Sequence, residues 1–172
     1  MSIVIIPGIH SLELTDRFVR GIQDKIEGDY LILPTEECLP YDAIAIYRWL
    51  LRQQLDKKPL SFIAFSAGVV GAIGAAIAWQ LQDGKVHSFI AFDGWGMPLI
   101  ANFGIYRVSH DYFTHWSSGI FGTGTENFYA EPAIEHLEIW RSPERCQGWR
   151  TIGLGWKTRD TLTNYLANVL NS

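Results

Sequence analysis

The sequence predicts an α/β fold, doubly wound around a mainly parallel sheet of about five to six strands with helices on both sides. Two observations lead there. Short apolar runs rich in β-branched and aromatic residues, Ile3 to Ile6, Tyr30 to Leu33, Leu60 to Phe65 and Val86 to Phe92, read as strands buried on both faces. A helix-length segment separates each run from the next, and strands alternating with helices run parallel, joined by crossovers that are nearly always right-handed.

Each element has its own signal. Pro7-Gly8 stops the first strand. Leu14, Phe18, Ile22 and Ile26 recur every four residues and mark an amphipathic helix, with Ser11 or Thr15 to open it and Gly28 to close it. Pro34 stops the second strand, and a helix is expected from Tyr41 to Leu55. Leu60 to Phe65 is the third strand and Ala67 to Leu81 a helix ended by Asp83-Gly84; Val86 to Phe92 follows as the fourth strand. The stretch 94–132, rich in glycine and aromatics, is too long for an idle connection and is expected to be a lid-like insertion over the site. His136 to Arg141 is read as the last strand. Thr161 to Leu170, with Leu162, Tyr165, Leu166, Val169 and Leu170, is read as the final helix.

Composition narrows the class. With 172 residues, 48% hydrophobic and 19% charged, the chain suits one folded domain, 1–172. Fourteen basic and 18 acidic residues give a net charge of −4 with no basic stripe, which argues against nucleic acid as a partner. Cys38 and Cys146 lie far apart, so reduced thiols are expected; with no leader-like N-terminal pattern, a cytoplasmic location follows. Leu60 to Trp79 carries no charge over about the length of a membrane span, but its change from Phe62-Ile63 to a small-residue run predicts a strand and a helix instead. No membrane span is expected.

In open α/β sheets the ligand site lies beyond the carboxyl ends of the strands. Ser66 directly follows the third strand, within Ala64-Phe65-Ser66-Ala67-Gly68, a form of Gly-x-Ser-x-Gly with alanine in first place. Small residues at both ends relieve a sharp turn. The glycines Gly68, Gly71 and Gly74 are followed by no Lys-Ser/Thr pair, so they form no phosphate loop and are expected to let the helix approach the sheet.

On these residues, with Ile3 to Gly8 as a core strand and loop and Phe92-Asp93 closing the next strand, the chain resembles the α/β-hydrolase family, in particular its small single-domain serine hydrolases. The resemblance implies Ser66 as nucleophile. It also implies an oxyanion hole from the amide of Ala67 and one from the Gly8-Ile9 loop.

A serine hydroxyl needs an imidazole base and usually a carboxylate that orients it. Asp93, at the end of the fourth strand, is the best-placed acid. His87 and His136 are assigned to the starts of strands, on the far side of the sheet, and are excluded. His10 follows the first strand's loop and is expected to line the pocket, while His110 and His115 in the aromatic stretch are the candidate bases. In the family the base comes from the loop before the final helix, and 147–160 holds no histidine. Either His110 or His115 is a relocated base, or the chain is a non-catalytic hydrolase-like module binding a small apolar ligand or protein partner. A flavodoxin-like binding fold is a third possibility.

The aromatic stretch, Trp95 with Met97, Phe103, Tyr106, Phe113 and Trp116, suggests an apolar pocket wall and a small-molecule substrate with an acyl or aromatic group. Substrate contacts are expected from Gly8, Ile9, His10, Ala67 and Trp95. The histidines and cysteines lack paired ligand spacing, so no metal and no cofactor are expected.

Overall fold

The computed structural model describes every residue except 56, 57, 95, 123, 154 and 172, and only the backbone of Phe121. Its elements are β1 (Ser2–Ile6), α1 (Leu12–Ile22), β2 (Asp29–Ile32), α2 (Ala43–Arg52), β3 (Leu60–Phe65), α3 (Ala67–Leu81) and β4 (Val86–Phe92). There follow β5 (Gly104–Ser109), α4 (Tyr112–Ser118), β6 (Glu126–Ala130), α5 (Glu138–Arg141), β7 (Gln147–Ile152), β8 (Trp156–Thr161) and α6 (Leu162–Leu170).

One mostly parallel sheet of eight strands, in the order β2-β1-β3-β4-β5-β6-β7-β8, organises the chain. β1 to β6 are parallel neighbours, and β7 and β8 add an antiparallel hairpin. Alternate side chains of the central strands serve two cores. Ile3, Ile5, Ile63, Phe65, Ile90 and Phe92 meet Phe18 of α1, Trp140 of α5 and Tyr165 of α6. On the other face Val4, Ile6, Phe62, Ala64 and Phe89 meet α2 and α3. Burial on both faces explains why these strands read as unbroken apolar runs.

The sheet is larger than the five to six strands expected, and the surplus lies after Asp93. The stretch 94–132, expected as a lid-like insertion, contributes β5 and β6 to the sheet. Both were masked by polar residues: Arg107 interrupts β5, and Glu126-Asn127 opens β6. The expected strand from His136 to Arg141 is instead a turn leading into α5. The 147–160 segment is the β7–β8 hairpin, whose largely solvated residues carry little apolar signal.

Among the described residues no helix is long and apolar enough to cross a membrane; Leu60 to Trp79 divides into β3 and most of α3. Cys38 and Cys146 are buried free thiols. The glycines of α3 divide between the expected work and another. A Cβ at Gly68 would stand 2.3 Å from Pro7 O, so this residue does abut the end of β1, whereas Gly71 and Gly74 make room for Pro40 and Ala43 at the start of α2.

From β1 the chain runs out to β2, then returns across β1 to β3. The loops after β1 and β3 therefore leave in opposite directions and open a crevice at the carboxyl end of the sheet, where open α/β sheets bind ligands. Ser66 stands at that crevice.

Candidate active site

Ser66 joins β3 directly to α3 with φ 52° and ψ −120°. Such a backbone is strained for any residue with a Cβ, and it lifts the side chain clear of the turn. Two hydrogen bonds hold it. Ser66 N donates to Phe92 O at 2.8 Å, tying the turn to the end of β4, and Val69 N donates to Ser66 O at 3.0 Å, starting the helix. Gly8 packs beneath, where a Cβ would lie 3.3 Å from Ser66 Cβ and 3.0 Å from the Phe65 ring.

Asp93 closes β4 with φ 49°, and its amide donates to Val108 O at 2.8 Å. Its carboxylate, 2% exposed, is the hub of the site. Oδ1 accepts the backbone N–H of His110 at 3.0 Å. Oδ2 accepts from Nδ1 of His110 at 2.9 Å and from Nδ1 of His136 at 2.7 Å. Burial alone would raise this carboxyl, but the hydrogen bonds from His110 and His136 outweigh it and hold the group below its usual range. His110 is pushed up, chiefly by its bond to Asp93, against the opposing effect of burial.

His136 completes the line to the serine: its Nε2 lies 3.2 Å from Ser66 Oγ. With Nδ1–H donated to Asp93, Nε2 is free to accept the serine proton, which is the tautomer a general base needs. His136 belongs to the loop between β6 and α5. Ile134 N donates to His110 O at 3.1 Å and fixes that loop over the site. The imidazole stacks on Phe65 at 4.8 Å, and Phe65 in turn stacks on Trp140 of α5.

The imidazole that the structure brings to Ser66 differs from the two expected candidates. His136, excluded on the reading that it starts a strand, is the imidazole on Ser66. It lies beyond the carboxyl end of β6 because β6 is the strand that precedes it. His110 reaches Asp93 but pairs with the acid rather than the serine. His115 lies outside the site: its ring stacks on Tyr129 at 4.9 Å and borders a separate cavity of about 460 Å³ with Arg107 and Thr151. His87 lies near the start of β4, at the other end of the sheet, as expected.

His10 is spent locally. Its Nε2 accepts Gly8 N–H at 3.3 Å, its Nδ1 donates to Ser11 O at 3.0 Å, and burial lowers its proton affinity. Ile9, in the loop after β1, is 76% exposed. Ala67 opens α3, so its amide has no acceptor within the helix, and its side chain lines the cleft. Trp95 lies outside the described residues. The cleft, of about 420 Å³, sets Ser66, His110 and His136 against apolar walls from Val70, Met97 and Phe113. A larger cleft of about 550 Å³, bordered by Arg17, Arg20 and Arg141, is lined by none of these residues.

Asp93, His110 and His136 also present three groups of the kind that hold a metal, with ligand atoms within 4.8 Å of one another, a grouping that sequence spacing did not reveal. The 2.7 and 2.9 Å separations are N–H···O hydrogen-bond lengths. Two ligands on one tetrahedral zinc stand about 3.3 Å apart, so the site as folded is closed around protons.

No protein-family model matches the chain, and no curated protein matches it.

Proposed function

We propose that the protein is a serine hydrolase of the α/β-hydrolase type, cleaving a carboxylic ester or thioester through an acyl-enzyme on Ser66. One observation carries the reading: the unbroken line from Ser66 Oγ through both nitrogens of His136 to the buried carboxylate of Asp93. The order along the chain supports it too, with the serine after β3, the acid after β4 and the imidazole after the last parallel strand, the Ser–Asp–His sequence of that fold.

In this reaction His136 Nε2 takes the Ser66 proton as Oγ attacks the acyl carbon, and the carbonyl π pair moves onto oxygen. The amides of Ala67, at the N-terminus of α3, and of Ile9 stabilise that oxyanion. Gly8 N–H is already donated to His10, which leaves Ile9 as the donor of that loop. Asp93 stabilises the imidazolium. His136 then protonates the leaving alcohol or thiol, and the same steps run with water release the acid. The apolar walls of Val70, Met97 and Phe113 suit an acyl or aromatic group. A cytoplasmic setting accords with the two buried free cysteines.

Fluorophosphonate labelling tests the reading. The wild type is expected to label at one site and to lose the label in Ser66→Ala. An unlabelled wild type that turns over no ester or thioester across a broad acyl panel would instead favour a non-catalytic ligand-binding module.

A further inference from the structure

Asp93 carries one charge and serves two imidazoles. The Nδ1 atoms of His110 and His136 meet the same oxygen, Oδ2, at 2.9 and 2.7 Å, and the two rings sit edge to face with centroids 5.7 Å apart. Only His136 reaches Ser66. An orienting acid normally concentrates its charge on the one imidazole that becomes cationic in the transition state. Here a second imidazole competes for it.

The geometry points to His110 as a positioning residue that acts through Asp93, so that the protonation of His110 sets how strongly Asp93 supports His136 and turns the reaction down in two steps as pH falls. The inference rests on the serine-hydrolase reading of the same site. When both rings are neutral, each donates one Nδ1–H, and Asp93 remains available to the imidazolium that forms on His136. A proton on His110 pairs it with Asp93 as a full ion pair. His136 then faces a neighbouring cation 5.7 Å away and has less of the carboxylate's charge for its own imidazolium, so attack by Ser66 slows without stopping. A second proton, on His136 Nε2, removes the base altogether.

The carboxylates around His110 favour its protonated form. Asp93, Asp111 and Glu135 all act on His110 to hold a proton, and His110 Nε2 lies 3.7 Å from Asp111 Oδ2. On the other side His136 faces His10, another potential cation, with which it interacts unfavourably when both are charged. The scaffold does not depend on the His110 ring, because its backbone N–H on Asp93 Oδ1 and its carbonyl on Ile134 N hold the acid and the His136 loop in place. Replacing the ring separates its electrostatic part from the architecture.

The experiment follows the rate of fluorophosphonate labelling from about pH 4.5 to 8.5 in the wild type, His110→Gln and His110→Asn, alongside ring ¹H–¹⁵N spectra of His136 over the same range. The wild type is expected to lose rate in two resolved steps, the first of about tenfold, a fraction of the effect of removing an orienting acid. Both variants are expected to show a single step. The His136 ring shifts should move in two stages in the wild type and in one stage in the variants. A single-step profile with the same midpoint in all three proteins, or His136 shifts blind to the His110 substitution, overturns the inference. Failure of the hydrolase reading looks different: no chain labels at any pH, while the ring spectra still report whether the two histidines share Asp93.

Discussion

His136 Nδ1 lies 2.7 Å from Asp93 Oδ2, across 43 residues of sequence, and the same ring puts Nε2 3.2 Å from Ser66 Oγ. An imidazole held at both nitrogens has one tautomer and one orientation, which a serine nucleophile requires. His136→Ala is therefore expected to lower the rate of fluorophosphonate labelling by about 10³- to 10⁴-fold, as loss of a triad member does. His115→Ala, whose ring packs on Tyr129, is expected to leave that rate within about twofold. Equal losses in the two variants would remove His136 from the role of base.

Much of the chain up to Asp93 was legible because its strands are buried on both faces, and continuous runs such as Ile3 to Ile6 and Ile63 to Phe65 carry a strand signal. The elbow was legible for a related reason. Ser66 needs small neighbours, and Gly68 is forced by the carbonyl of Pro7. Beyond Asp93 the signal fails for physical causes. Arg107, almost fully buried, interrupts β5 because its guanidinium is satisfied partly by Gly122 O, and the β7–β8 hairpin lies at the sheet edge with little to bury.

The same failure hid the imidazole beside Ser66. Phe128, Tyr129 and Ala130 form a short buried run stopped by Pro132, which is a strand signal. Counting it as the last parallel strand places His136 in the loop beyond a carboxyl end. Ile139 and Trp140 made 136–141 look like a strand, whereas they are adjacent residues of one helical turn, both buried against α1 and the sheet.

The charge on Asp93 makes stability depend on pH in two directions. Its folded carboxyl is held below the usual range, so the stabilisation it brings is present above its unfolded value of about 3.9 and is lost as pH falls through the depressed folded value. His110 is shifted upward by Asp93, so its contribution is complete below about pH 6.5 and is lost as pH rises through its folded value. The gap in urea midpoint between wild type and Asp93→Asn should widen as pH falls from 8 to about 6, then close below about 4. A gap independent of pH would show that the carboxylate charge contributes nothing.

Gly68 tests the elbow by sterics alone. An added Cβ would meet two backbone oxygens, Pro7 O at 2.3 Å and Ile6 O at 2.7 Å, neither of which can swing aside as a side-chain end would. Gly68→Ala is expected to destabilise the fold by about 1–3 kcal/mol through overpacking and to slow labelling, since any relief shifts Ala67 and Ser66 away from the crevice. Gly119→Ala, where no atom of the described residues lies within 4 Å of the new carbon and φ is −60°, should leave stability unchanged or slightly raised. Chemical denaturation of both variants decides the comparison, and equal effects would refute the close-packed elbow.

Trp140 links the core to His136. Fully buried in α5, it stacks on Phe18 with centroids 3.7 Å apart and on Phe65 at 4.9 Å, while Phe65 also carries the ring of His136 at 4.8 Å. The loop bearing His136 runs directly into α5, so the anchor of the helix is also the anchor of the loop. Trp140→Ala is expected to cost about 3–5 kcal/mol, the range for deleting a large buried aromatic. In the fraction that remains folded, labelling of Ser66 should slow, because Phe65 can tilt into the space and let His136 drift from the serine. Trp140→Phe, which keeps a ring against Phe18 and Phe65, should recover most of the labelling rate while remaining less stable than wild type. A Trp140→Ala protein that is folded at low temperature and labels at the wild-type rate would show that His136 is held by its hydrogen bonds to Asp93 and Ser66 alone.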